Sequence, residues 1–198
     1  MLTTIKRLVR TVVPRPLPRG FLLRRMPRGA VCAEIGVYAG AFSAQILRDT
    51  QPRSLHLIDP WRFHDDPVYE GSLYGGPAGR NQQQMDAIHQ QVRQRFAVEI
   101  AAGRVHLHRC DSIAAATCFA DAHFDWIYID GNHLYPFVKA DLEAYYPKVK
   151  PGGLIAGDDY AREGWWADGV TRAVDEFLAT RRCRRVLIRE HQYILRKP

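Results

Sequence analysis

The residues best suited to chemistry lie in two acidic clusters within residues 124–160, FDWIYIDGNHLYPFVKADLEAYYPKVKPGGLIAGDDY. Asp130 and His133 form the first, Asp158 and Asp159 the second. Three carboxylates at one rim repel one another unless some are protonated or a cation lies between them. An all-oxygen set selects Mg²⁺ or Ca²⁺ over zinc. A magnesium ion held by Asp130, Asp158 and Asp159 would keep open positions for a substrate hydroxyl, lower its pKa and align the alkoxide with an electrophile. His133, three residues after Asp130, is the candidate general base, and it serves equally as a cap on the helix that follows. Asp158 and Asp159 read equally as turn caps.

Strands and a crossover helix must bring these clusters together. Residues 124–129 are almost all apolar or aromatic, the signature of a strand covered on both faces, and Asp130-Gly131 stops it with turn chemistry. Phe137, Val138, Leu142, Tyr145 and Tyr146 then recur at helical spacing until Pro147 and Pro151-Gly152-Gly153, and a short apolar run at 154–156 delivers Gly157, Asp158, Asp159 and Tyr160. A strand, crossover helix and strand pair in parallel with right-handed connection, so both tips face the same way.

Upstream, the same grammar repeats. A strand at 30–35 runs into Gly36-Val37-Tyr38-Ala39-Gly40 and a helix at about 42–48, the opening of a nucleotide-binding unit. Tyr38 stands where a dinucleotide fingerprint needs glycine to admit a pyrophosphate, which argues against NAD and leaves Glu34, Gly36 and Gly40 facing a ligand without phosphates. A second strand, 54–58, ends in Asp59, placed to accept hydrogen bonds from a ribose diol or to close a turn before Pro60. Residues 61–80 read as a lid or binding loop, with Trp61, Phe63, Tyr69 and Tyr74 shaping an acceptor pocket. A polar helix at 81–101 buries Met85, Ile88, Val92, Phe96 and Ile100. A third strand, 105–109, carries His106 and His108 on one face with no evident third partner. Asp111 and Ser112 follow, placed to read an exocyclic amine or to cap the short helix at 113–119. Trp165 and Trp166, which wall a pocket or pack in the core, precede a helix bearing Val170, Val174, Phe177 and Leu178. Runs at 185–188 and 192–195 predict a closing hairpin.

The 198 residues suit one domain with additions. Four cysteines without paired spacing, and no secretory signal, read as reduced thiols in a cytoplasmic protein. Eight of the 28 lysines and arginines fall in residues 1–28, which hold no acid, so the remaining 170 residues carry 20 basic against 21 acidic groups. That near-neutral body removes the main support for a nucleic-acid-binding domain. The arm opens with a basic amphipathic segment at 2–13, suited to packing on the domain or a partner subunit, or to peripheral contact with an anionic membrane. Its Pro-rich continuation at 14–29 reads as a stiff linker to a domain at 29–198. Association with a second copy of the chain is left open.

Acids or glycines at five successive strand tips define a doubly wound, Rossmann-like α/β fold, its mostly parallel sheet closed by a C-terminal antiparallel hairpin and its cleft at the carboxyl edge. The segments AEIGVYAG, LIDPW, RCDS, YIDGNH, KPGGLIAGDDY and GVTRAVDEF, taken in order, resemble the class I S-adenosylmethionine-dependent methyltransferases, and most closely the small bacterial O-methyltransferases related to the catechol and macrolide-sugar enzymes. The resemblance implies that Glu34, Gly36, Tyr38 and Gly40 border the methionine part of S-adenosylmethionine, Asp59 the ribose, and Asp111 with Ser112 the adenine. It implies that Asp130 stands beside the cofactor and binds magnesium with Asp158 and Asp159, making activity sensitive to chelators. The expected acceptor is a hydroxylated small molecule, a sugar or natural product. RNA or protein methylation and a non-catalytic cofactor-binding or membrane-docking module are the alternatives.

Overall fold

The computed structural model describes residues 19–75, 81–162, 164–180 and 182–198. The amphipathic segment at 2–13 and the linker as far as residue 18 lie outside the described residues. In chain order the elements are α1 (Gly20–Leu23), β1 (Val31–Ile35), α2 (Ala41–Thr50), β2 (Ser54–Ile58), α3 (Gln82–Arg95), α4 (Ala97–Ala101), β3 (Val105–His108), α5 (Ser112–Ala116), β4 (Phe124–Ile129), α6 (Tyr135–Tyr145), β5 (Val149–Gly157), α7 (Gly169–Ala179), β6 (Arg184–Arg189) and β7 (Gln192–Arg196).

Among the described residues seven strands form one sheet in the order β3-β2-β1-β4-β5-β7-β6. The first five run parallel, and β7 enters antiparallel between β5 and β6. The order turns between β1 and β4, so the tips of these strands diverge and leave a crevice at the carboxyl edge. β1 is buried at every residue, as a strand covered on both faces must be. Val31, Ala33 and Ile35 join Ile127, Ile129, Leu142, Val174 and Phe177 in one layer, while Cys32 joins Phe42, Ile46, Trp126 and Tyr128 in the other. Each fully buried aliphatic or aromatic side chain contributes about 1.5–3 kcal/mol.

Four sequence expectations shift. Within the segment expected as linker at 14–29, Phe21, Leu22, Leu23 and Met26 are buried in the α2 layer, so packing is established by residue 21, eight residues before the expected domain start at 29. The helix expected at 81–101 divides at Phe96 (φ −108°, ψ 20°), and Asn81 caps its start by accepting the Gln84 N–H at 3.0 Å. β5 begins at Val149, not 154, and takes Pro151-Gly152-Gly153 as an irregularity in its pairing with β4. His106 and His108 gain neighbours: His56 of β2 stacks on His106 (4.6 Å) and its Nδ1 lies 3.0 Å from His108 Nε2. Burial, with the other histidines beside it, drives His56 down to about 3. Cys32, Cys110, Cys118 and Cys183 are free thiols, and among the described residues no helix is long and apolar enough to cross a membrane.

Candidate active site

The cleft opens where β1, β2, β3 and β4 end. Together with the open space at its mouth it spans about 890 Å³. Its walls are largely apolar, from Ile35, Ile58, Ile113 and Phe137, with Asp59, Asp111, Ser112 and Asp141 as polar points and His64, Tyr69, Tyr74 and Trp165 closing over it.

The loop after β1 is shaped by Gly36 and Asp59. Gly36 (φ 89°) lies so close to β4 that a Cβ would sit 2.0 Å from the Asp130 carbonyl oxygen. Its N–H donates to Ile58 O (2.9 Å), and the Asp130 N–H donates to Ile35 O (2.7 Å), locking the three tips together. Asp59 is buried, its Oδ2 accepting the N–H of Val37 (2.8 Å) and Tyr38 (2.9 Å) and the hydroxyl of Tyr74, and its Oδ1 the N–H of Trp61 (2.7 Å). Burial raises its pKa while these donors pull it back. Tyr38 and Trp61 both hold positive φ (49° and 43°), a conformation that Asp59 supports through their amides. Gly40 (φ 70°) starts α2 beneath the Phe96 ring.

Behind the loop, Glu34 is fully buried and accepts the Ser43 hydroxyl. Burial pushes it up to about 8, with Ser43 and Arg19 acting the other way. The folded protein therefore keeps the Glu34 proton to higher pH than the unfolded chain, whose glutamate titrates near 4.5. Between these values folding takes up a proton, so stability falls as pH rises. Glu34→Gln has no proton to lose. Its unfolding midpoint relative to wild type is expected to climb from pH 5 to pH 8 in denaturation series; parallel curves would contradict the assignment.

The second polar group lies beyond Gly131 and Asn132. His133 Nε2 is 3.2 Å from both Asp130 Oδ1 and Asp159 Oδ2, leaving Nδ1 buried with no hydrogen-bond partner among the described residues. Burial opposes the imidazolium, but Asp130 and Asp159 outweigh it and raise the His133 pKa. Trp166 and Trp165 pack against the ring at 5.0 and 5.8 Å. Asp158 accepts the side-chain amide of Gln192 and the N–H of Asp159 (2.8 Å). Burial and Asp130 push Asp158 up to about 6, and Arg19 pulls against them.

Arg19 is the residue that sequence reasoning missed. Its Nη1 donates to Asp130 Oδ2 (2.8 Å) and its Nη2 to Asp158 Oδ2, so a guanidinium lies between two of the three carboxylates expected to share magnesium. The expected Asp130, Asp158 and Asp159 seat does not fit the arrangement these residues adopt. Among the described residues, the set whose ligand atoms all lie within 4.8 Å of one another is Asp130, His133 and Asp159, and an imidazole is a poor partner for magnesium.

The remaining expectations divide. Gly36, Asp59, Asp111 and Ser112 line the cleft; Glu34, Tyr38 and Gly40 support its loop. Asp59 spends four hydrogen bonds on the protein itself. Asp111 occupies the N-cap position of α5 without capping it, and pairs with Arg62 (3.2 Å) at the exposed rim. Ser112 instead donates to Asp141 (2.5 Å), a buried α6 carboxylate in the cleft wall that burial pushes up to about 6. Asp141 was detectable as the polar residue on the Val138–Leu142 stripe. Trp61 is not in the lid: it is fully buried, with Nε1 donating to Tyr38 O (2.9 Å). Trp165 walls the cleft and Trp166 packs on the core.

Comparison with known proteins gives consistent neighbours. Residues 33–160 match the family described as a methyltransferase domain. Among solved structures, a candidate caffeoyl-CoA O-methyltransferase from Staphylococcus aureus superposes with a TM-score of 0.60 at 17% identity, over 85% of this chain and 77% of that one. A candidate methyltransferase from Streptococcus mutans in complex with S-adenosylhomocysteine gives 0.60 at 11% identity, over 94% and 99%. The 1,6-didemethyltoxoflavin-N1-methyltransferase of Burkholderia thailandensis, with S-adenosylhomocysteine bound, gives 0.54 at 15% identity, over 86% and 72%. No curated protein matches the chain in sequence.

Proposed function

Because this chain belongs to the methyltransferase-domain family and is an S-adenosylmethionine-dependent methyltransferase, we propose that it moves the cofactor's methyl group to a hydroxyl oxygen of a small molecule. The observation that carries the choice of oxygen is His133, held at Nε2 by Asp130 and Asp159 with Nδ1 left unpartnered.

An alcohol is a weak nucleophile while it keeps its proton, so transfer to oxygen needs a base within hydrogen-bond reach. An imidazole whose Nε2–H is oriented by carboxylates carries its lone pair on Nδ1, which is buried here and has to become exposed before a hydroxyl reaches it; the same carboxylates stabilise the imidazolium formed when it takes the hydroxyl proton. The methyl leaves the cationic sulfonium in line with the incoming oxygen, and S-adenosylhomocysteine departs neutral at sulfur. The cleft lined by Ile58, Ile113, Asp59 and Ser112 suits the adenosine portion of the cofactor, and the acidic rim favours its positive charge. Tyr69, in contact with Trp165 (5.6 Å) and accepting the Asn132 amide (2.9 Å), closes the acceptor side.

Titration calorimetry with S-adenosylhomocysteine is expected to show binding at micromolar concentration. Folded protein that binds none removes the reading. With an acceptor drawn from a panel of sugars and phenols, His133→Gln should leave that affinity unchanged and lower kcat by about 10²–10⁴-fold, the range for loss of a general base. Full kcat in the variant would exclude His133 as the base.

A further inference from the structure

We propose that Arg19 takes the place of a divalent cation at the methyl-transfer site, pairing with both Asp130 and Asp158 so that the site works without metal. The inference rests on the methyltransferase reading of this cleft, and it goes beyond that reading by replacing the ion that the sequence resemblance implies.

Geometry carries it. The two nitrogens of the Arg19 fork each hold one carboxylate, Asp130 and Asp158, which the chain brings from the tips of β4 and β5. Each of those carboxylates has its second oxygen engaged as well, Asp130 Oδ1 with His133 and Asp158 Oδ1 with Gln192 and the Asp159 N–H. A magnesium ion needs oxygen ligands at roughly 2.1 Å in a near-octahedral set. Here it would meet carboxylates whose oxygens are already engaged by a guanidinium, His133 and Gln192.

Arg19 is also seated, not draped. Its side chain is 27% exposed and its guanidinium lies over the Phe42 ring (4.9 Å) and beside the Tyr128 ring (5.5 Å). The residue immediately precedes α1, whose Phe21, Leu22 and Leu23 are buried, so its backbone is anchored in the core. An arginine cannot lose its proton in a protein, so this positive charge is permanent, and its planar fork matches two carboxylates where a lysine would offer a point charge. With His133 neutral, as a general base must be, three acids and Arg19 leave about −2, which attracts a cationic sulfonium. Arg19 lies outside residues 33–160, the part of the chain that matches the family.

Manganese is a probe for such a site because its free ion is read directly by electron paramagnetic resonance. The full chain, with S-adenosylhomocysteine present, is titrated with Mn²⁺ as wild type, Arg19→Lys, Arg19→Gln and Arg19→Gln/Asp158→Asn. Wild type and Arg19→Lys are expected to leave the free-ion signal intact. Arg19→Gln, which keeps most of the stem, is expected to gain one bound Mn²⁺ with affinity at least about tenfold above wild type, as removal of an adjacent positive charge requires. The added Asp158→Asn is expected to abolish that gain. Wild type that binds Mn²⁺ as tightly as Arg19→Gln, or a folded Arg19→Gln that gains nothing, overturns the proposal. A thermal transition verifies folding, with Arg19→Ala as the second variant. Calorimetry with S-adenosylhomocysteine on the same samples tests the methyltransferase reading separately, so its failure is distinguishable from failure of the metal comparison.

Discussion

Gly36→Ala is expected to lower the thermal midpoint by roughly 6–12 °C and to abolish measurable binding of S-adenosylhomocysteine. Two costs add. The backbone at Gly36 has φ 89°, where a side chain is strained by about 1–2 kcal/mol. The new Cβ would also lie 2.0 Å from the Asp130 oxygen, 2.4 Å from its carbonyl carbon and 2.7 Å from Gly131 Cα, all backbone atoms that cannot swing aside. Overpacking of this kind costs about 1–3 kcal/mol because strands must separate. They would separate between β1 and β4, at the floor of the crevice, and Asp130 would be displaced from both Arg19 and His133. Differential scanning fluorimetry and calorimetry read the two effects. A variant that keeps both the midpoint and the affinity would mean that the tips of β1 and β4 are not in contact in solution.

That contact also explains what sequence could and could not reveal. The parallel strands were legible because strands buried on both faces are continuous apolar runs, as in Phe124–Ile129, and because each ends in Gly or Asp. The crossover rule then placed Asp130 and Asp159 on one edge, where His133 bridges them. Arg19 was hidden. It is one of eight basic residues in an acid-free stretch, and its partners lie 111 and 139 residues away, beyond the reach of any local pattern. The Phe21-Leu22-Leu23 run, flanked by prolines and arginines, is too short to show a period, so its burial is not legible in the sequence. Trp61 follows Pro60 at the head of an irregular stretch and read as lid for that reason; its burial depends on the turn that Asp59 closes. Carboxylates gathered at strand tips imply magnesium only where no other cation reaches them.

Asp59→Ala should destabilise the fold by about 3–5 kcal/mol and weaken S-adenosylhomocysteine binding by about 100-fold or more. The carboxylate satisfies three backbone N–H groups and the Tyr74 hydroxyl, and two of those amides belong to residues held at positive φ. Each buried donor left without an acceptor costs about 1–3 kcal/mol, moderated where water enters from the cleft. The isosteric Asp59→Asn separates two roles. Its oxygen can still serve Val37, Tyr38 and Tyr74, but its amide would face the Trp61 N–H, donor against donor, a loss of about 1–2 kcal/mol. If Asp59 acts chiefly by holding the Val37, Tyr38 and Trp61 turns, stability and affinity fall together, with Asn intermediate and Ala worst. A carboxylate that served only the ribose hydroxyls would give a different pattern, in which Asn and Ala both weaken binding while chemical denaturation stays at the wild-type value. The four hydrogen bonds to the protein favour the first outcome, and they mean that a ribose hydroxyl reaching Oδ2 must compete with Tyr74 for it.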